Sequence, residues 1–195
     1  VFIELTDLLR CPRDHPEAYL VMLPDQVADR GVRSGQLGCP VCGAIFAVNE
    51  GVAELDAIPP PPTPAFELAP DAMHAFLGLS GPGGFVLLAG GSAAAWRELA
   101  ALNPGVALVA LNPPEAVRDA PPVLSVVRAG RVPLKSRSVR GVVLGDTLGA
   151  DPHWVHEAAR VVLPGLRVLG SGAPPDIREL ELLGHAGGWW VAARR

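Results

Sequence analysis

Charge is scarce in this chain, and an excess of positive charge is missing altogether. Asp, Glu, Lys and Arg make up 18% of the 195 residues, against 49% hydrophobic ones, which argues for a packed core and against wholesale disorder. The net charge of −4 argues against a broad nucleic-acid face, which needs basic surface. A local basic patch stays open as a candidate, because Arg128, Arg131, Lys135, Arg137 and Arg140 fall within one short run. No apolar run approaches the ~20 residues that a membrane-spanning helix needs. The N-terminal stretch shows no basic region, apolar stretch and small-residue cleavage site of a secretory signal.

Cysteine is also sparse. Three cysteines, an odd number with one Cys-x-x-Cys pair, suit metal ligation in a reducing compartment better than a disulfide framework. The expected location is therefore cytoplasmic. No Ser-His-Asp or Cys-His nucleophile arrangement is visible, and there is no internal repeat.

Glycine and proline are plentiful, 22 and 21 respectively. Four consecutive prolines, Pro59 to Pro62, continue neither a helix nor a central strand. They mark a Pro-rich linker at 58–65 between a small module at 1–57 and a larger domain at 66–195. In the first module a short helix is expected at Glu4–Leu9 and strands at Ala18–Leu23, Ala44–Val48 and Val52–Leu55. Asn49-Glu50-Gly51 supplies the tight reversal between the last two.

In the second domain Phe85–Ala89 is a continuous apolar run, as in a parallel strand buried on both faces. A helix is expected at Ala93–Ala101 and another at about 153–163. Further strands are expected at Val106–Leu111, Val123–Val127, Gly141–Leu144, Arg167–Leu169 and Trp189–Ala193. Strand and helix in alternation predict an α/β fold with a parallel, doubly wound sheet.

Cys39-Pro40-Val41-Cys42-Gly43 is the strongest local signal. Two thiolates at this spacing can bind one zinc ion, and the glycine lets the backbone turn beneath the sulfurs. Cys11 and His15 complete a Cys3His set, with Asp14 as an alternative fourth ligand. The competing expectation is a knuckle that lacks metal and survives on packing. Nothing specifies an open position or a neighbouring acid or base, so a zinc here would be structural.

Leu8-Leu9-Arg10-Cys11-Pro12, then Cys39-Pro40-Val41-Cys42-Gly43, then Phe46 to Leu55 resemble the Trm112-like family of small zinc-ribbon-type proteins over residues 1–56. The departure is Asp14, where a cysteine is usual. The resemblance implies a β-rich zinc-ribbon-like module and a protein partner, because members commonly bind and stabilise methyltransferases.

Residues 85–195 resemble class I S-adenosylmethionine-dependent methyltransferases. The carriers are Val86 to Ala94 at the strand-to-helix glycine loop, Leu108 to Glu115 after the second strand, and Glu157 to Val168 around a Pro-Gly turn. The resemblance implies a Rossmann-like methyltransferase-type sheet, with Gly90, Gly91, Ser92 and Asn112 at the cofactor position. The chemistry departs from the pattern. Ser92 and Ala94 replace glycines, Leu88 replaces an acid, and Asn112 stands where a carboxylate accepts from the ribose. Ala129-Gly130-Arg131 also lacks the acid often found beside the adenine. Charged acceptors bond about twice as strongly as neutral ones, so S-adenosylmethionine binding is expected to be weak or lost.

Asp146, after the fourth strand, is a weak candidate for catalysis against the alternative of a turn or cap residue. The expected function is that of a non-catalytic pseudo-methyltransferase acting as a protein-binding subunit, scaffold or assembly factor. Pro59–Phe66 and Trp189-Trp190 are candidate contact segments, with core packing the alternative for the tryptophans. The competing function is an active methyltransferase on an RNA, protein or small-molecule substrate, its basic run seating an anionic substrate. A third candidate is a binder of some other nucleotide or small ligand in the vestigial cleft.

Overall fold

The computed structural model describes residues 1–58, 68–174 and 176–195. The predicted linker therefore lies, from residue 59 on, outside the described residues, as does the candidate contact segment Pro59–Phe66. Among the described residues eleven strands form one sheet. They are β1 (Val21–Ala28), β2 (Gly31–Gly38), β3 (Ile45–Asn49), β4 (Val52–Glu54), β5 (Phe85–Ala89), β6 (Ala107–Leu111), β7 (Leu124–Arg128), β8 (Val139–Leu144), β9 (Val162–Ser171), β10 (Leu180–Ala186) and β11 (Trp189–Arg194). Their order across the sheet is β1-β2-β3-β4-β7-β6-β5-β8-β9-β11-β10.

The six strands from β4 to β9 in that order pair in parallel, and antiparallel strands extend the sheet at both ends. Within residues 85–171 the chain runs outward through β5, β6 and β7, then returns to place β8 and β9 on the other side of β5. That reversal is the Rossmann-like, doubly wound α/β arrangement the alternation predicts. β11 is the last strand expected from sequence, whereas neither β2 nor β10 is among the expected strands.

The parallel strands are apolar on both faces because both faces are covered. Phe85, Leu87 and Ala89 join one core cluster, and Val86 and Leu88 join the other. The second cluster is closed by α1 (Pro70–Leu77) and α2 (Trp96–Leu102), through Met73, Leu77, Trp96 and Leu99. The first is closed by α3 (Pro152–Val161) and by the N-terminal segment. Leu5, Leu9 and Leu37 are fully buried there, each contributing about 1.5–3 kcal/mol by leaving water. Two shifts from expectation are local. The first helix is a 3-10 helix, Ile3–Leu8, and residues Gly90–Ala95 form another before α2 begins.

Residues 1–58 and 68–195 thus share one sheet and one core. Val52, Ala53 and Glu54 pair with Val126, Val127 and Arg128, making β4 a parallel neighbour of β7. Phe2 N–H donates to the buried Ser125 hydroxyl at 2.9 Å, and the Phe2 ring lies 6.2 Å from that of Phe85. Charge crosses the junction as well. Arg33 reaches Asp119 at 2.9 Å, and Arg10 lies 3.6 Å from Glu157, which also binds Arg160 on α3. No helix among the described residues is long and apolar enough to cross a membrane.

Burial opposes the Glu157 carboxylate, but bonded Arg160 and nearby Arg10 outweigh it and hold its pKa below the ordinary 4.5. A depressed folded pKa gives stability that is full above the ordinary value and is lost as pH falls through the folded one. Glu157→Gln is therefore expected to lower unfolding free energy by about 1–3 kcal/mol at pH 7. In urea titrations the gap to the parent protein should close on acidification. A gap that stays constant with pH would contradict this role.

Candidate functional site

The metal candidates converge. One ligand atom each from Cys11, His15, Cys39 and Cys42 lies within 4.8 Å of the others. Asp14 is exposed and stands outside this group. The knuckle after β2 is built by two backbone bonds: Gly43 N–H donates to Cys39 O at 2.9 Å, and Cys39 N–H donates to Ala44 O at 2.8 Å. Gly43, at φ +71, takes the left-handed conformation that closes this turn. The facing loop is closed by Cys11 N–H donating to Ala18 O at 2.9 Å and by the Arg10–Tyr19 bridge, which bring His15 back over the knuckle.

The spacing fits zinc. Tetrahedral geometry with zinc–sulfur bonds of about 2.3 Å sets two sulfurs about 3.8 Å apart, and a sulfur and an imidazole nitrogen about 3.5 Å apart. Cys11 Sγ and Cys42 Sγ are 3.8 Å apart, and Cys39 Sγ and His15 Nε2 are 3.5 Å apart. His15 Nδ1 lies 2.7 Å from the Pro16 carbonyl. A carbonyl only accepts, so Nδ1 carries the proton and Nε2 presents its lone pair to the centre. The Cys3His cluster can bind zinc, with the ion tying the loop after the first helix to the β2–β3 knuckle.

The thiols are electrostatically unequal. Burial works against the Cys39 thiolate, but the amides of Cys42 and Val41 and the thiols of Cys42 and Cys11 outweigh it, bringing its pKa down to about 6. Burial pushes Cys11 up to about 11, with the Arg13 amide opposing and the other two thiols adding to the rise.

The cofactor-loop candidates lie at the carboxyl ends of the parallel strands. Gly90, at φ +66, leaves β5 where a Cβ would stand 2.5 Å from the Asp146 carboxylate. Asp146 Oδ2 accepts from Gly91 N–H at 2.7 Å, and the Asp146 carbonyl accepts from the Ser171 hydroxyl. Ser92 is fully buried, its hydroxyl donating to Ala89 O at 2.8 Å. Asn112, at φ +49, folds its side-chain amide back on the chain. Nδ2 donates to Ala129 O at 2.7 Å, and Oδ1 accepts from Ala129 N–H at 2.9 Å.

Both ends of that amide are therefore engaged in bracing β6 to the loop after β7. An acid does approach that loop, but from the other half of the chain: Asp56 accepts from Gly130 N–H at 2.9 Å. His153 and His156 are exposed on α3, and Asp151 caps that helix by accepting from His153 N–H. None of the hydrogen bonds of Asp146 involves either histidine.

The cations of 128–140 do not form one free face. Arg140 donates to the carbonyls of Gly81 and Gly83 at 2.9 and 2.7 Å, and Lys135 lies 5.5 Å over the Tyr19 ring. Of the two tryptophans, Trp190 is fully buried and donates to Gly149 O at 3.2 Å, while Trp189 is half-buried. The bracing by Asn112, the contact of Asp146 with Gly91 and the reach of Asp56 were not legible from sequence. They join residues 17, 55 and 74 positions apart.

No protein-family profile matches the chain, and no curated protein matches it either. Solved structures with a similar chain path include the complex between the Haloferax volcanii Trm112 methyltransferase activator and a methyltransferase, at 21% identity and TM-score 0.42, covering 52% of this chain and 50% of that one. The antibiotic-resistance methyltransferase Kmr is similar at 13% identity and TM-score 0.44, covering 65% of this chain and 93% of that one. An assigned O-methyltransferase from Klebsiella pneumoniae is similar at 12% identity and TM-score 0.44, covering 68% and 83%. This chain spans half the length of the first. The fold class stands on the strand order itself.

Two outcomes are expected. At pH 7 Cys39 is already ionised and Cys11 is not, so zinc binding should release at least one proton per ion. Calorimetry in buffers of different ionisation enthalpy measures that number, and zero would contradict the ligand set. Asn112→Asp should destabilise the fold by about 1–3 kcal/mol, because a carboxylate cannot donate to Ala129 O and would face it as an unpaired acceptor. Thermal or urea unfolding that leaves this variant unchanged would remove the bracing role.

Proposed function

We propose that this chain is a non-catalytic methyltransferase-fold protein that works by binding another protein, as subunit, scaffold or assembly factor, with a structural zinc in its N-terminal part. The observation that carries this reading is the Asn112 side chain, whose donor and acceptor are both engaged by Ala129. Those two backbone bonds fix the amide's orientation, and a ribose held there would meet only the second Nδ2 hydrogen and the second Oδ1 lone pair. It would gain a neutral acceptor in place of a charged one. The Asp146 carboxylate on Gly91 N–H adds to this. It occupies a loop amide and would repel the carboxylate end of S-adenosylmethionine.

Support for protein binding comes from the outer face of the N-terminal strands. Val21 and Leu23 on β1 and Ile45 on β3 are 53%, 61% and 68% exposed. Val21 and Ile45 both pair with Gly38, which sets them on one face with Leu23 two residues along β1. Clustered exposed apolar side chains of this kind mark interaction surfaces. The half of the chain that resembles a methyltransferase binder already lies beside a methyltransferase-like sheet through β4 and β7. The partner is accordingly expected on the opposite, solvent-facing side of β1–β3.

An active methyltransferase remains the second reading because Asp146 is half-exposed above the glycine loop and could supply the carboxylate that Leu88 does not. Titration calorimetry of the full chain with S-adenosylmethionine separates the two. The non-catalytic reading expects no saturable heat up to about 1 mM ligand, beyond the reach of weak binding near 4 kcal/mol. Micromolar, saturable binding would establish the enzyme reading instead.

A further inference from the structure

Crossover helices cover both faces of a doubly wound sheet. Between β9 and β10 the chain has only residues 172–179, with no helix among the described ones. The sheet face over β9, β11 and β10 is flanked by α1 and keeps an open pocket of about 280 Å³. Phe76 from α1, Leu183 from β10 and Val191 from β11 form apolar walls, and Trp189 lines it as well. Phe76 and Leu183 are 38% and 50% exposed, so the walls are open to an incoming ligand.

The polar groups of this pocket are of one kind. Arg167 and His185 line it, and no carboxylate does among the described residues. Arg167 donates one N–H to the Phe76 carbonyl at 2.9 Å and takes part in none of the ion pairs of the described residues. A guanidinium has five N–H donors in a planar fork, suited to an incoming carboxylate. Arg167 pairs with Gly141 near the start of β8, whereas Gly90, Asn112 and Asp146 follow the strands' far ends. The pocket is thus separate from the cofactor-loop region.

We propose that this pocket binds a small apolar carboxylate, with its hydrocarbon part against Phe76, Leu183 and Val191 and its carboxylate on Arg167. A neutral hydrocarbon would bury the guanidinium without an acceptor, and an amine would be repelled by it. The apolar walls disfavour a heavily hydrated inorganic anion. The volume, near the lower end for ligand sites, limits the ligand to roughly one ring or a short branched chain.

The full chain is to be titrated with phenylacetate, indole-3-acetate and 4-methylpentanoate, each beside its uncharged amide, by calorimetry and tryptophan fluorescence. At least one acid is expected to bind saturably and at least tenfold tighter than its amide. Arg167→Gln should erase that preference while leaving the amide unaffected. Leu183→Asp, on the exposed edge strand, should weaken the acid at least tenfold with an unchanged thermal midpoint, and it decides the matter if Arg167→Gln unfolds. The proposal is overturned if no acid saturates, if acid and amide bind alike, or if Leu183→Asp leaves acid affinity intact.

Discussion

The parallel ladder between β4 and β7 joins the two ends of the chain into one sheet. It is short, with Val52 to Glu54 set against Val126 to Arg128. Ala53 is fully buried, and β4 hands the sheet on to the antiparallel strands β3, β2 and β1. A ladder of three residues is weak alone, because net hydrogen-bond gains are near 1 kcal/mol each. What holds it is the apolar cluster beneath, which runs without a break from Leu5, Leu9 and Leu37 to Leu87, Val142 and Val155. The N-terminal segment lies where a doubly wound sheet would otherwise need a crossover helix, since no helix follows β6 or β7 among the described residues.

That arrangement shapes both sites. The Cys3His cluster sits between the loop entering β1 and the knuckle leaving β2, so a zinc ion bound there would stiffen a hairpin anchored on the common core. At the other end of the junction, Asp56 leaves β4 and holds Gly130, while Asn112 holds Ala129. The loop after β7 is thus clamped from two sides. In a Rossmann-like sheet, loops at the carboxyl ends of the strands are where a nucleotide enters. Here several of their polar groups bond one another, Asn112 with Ala129, Asp56 with Gly130 and Asp146 with Gly91.

Much of the fold was legible because burial leaves a pattern. Phe85–Ala89 reads as a strand because all five residues are buried, and β6, buried at four of its five positions, follows similarly. The grouping of Cys39 and Cys42 was legible because Cys-x-x-Cys spacing suits ligation of one ion, and that of His15 because it lies four residues from Cys11. The missed parts have local causes: β2 carries glycines at 31, 35 and 38 in place of an apolar run. In β10, six of seven residues are exposed, so no alternation marks it. In β1, Pro24 and two register shifts blur the period, and the strand runs from Val21 to Ala28 instead of 18–23. The internal bonds of Asn112 and Asp146 depend on long-range pairing. From sequence, each read as a departure from a cofactor pattern, with no hint of the partner that now engages it.

If the two ends of the chain fold as one cooperative body through the β4–β7 junction, native-state hydrogen exchange resolved by residue will register it. Amides in β2, β3 and β4 should exchange through the same global opening as those of β5, β6 and β7, with similar opening free energies and matching denaturant dependence. If the strands before residue 58 open separately, several kcal/mol below β5 and β6, the shared core is not what holds this protein together.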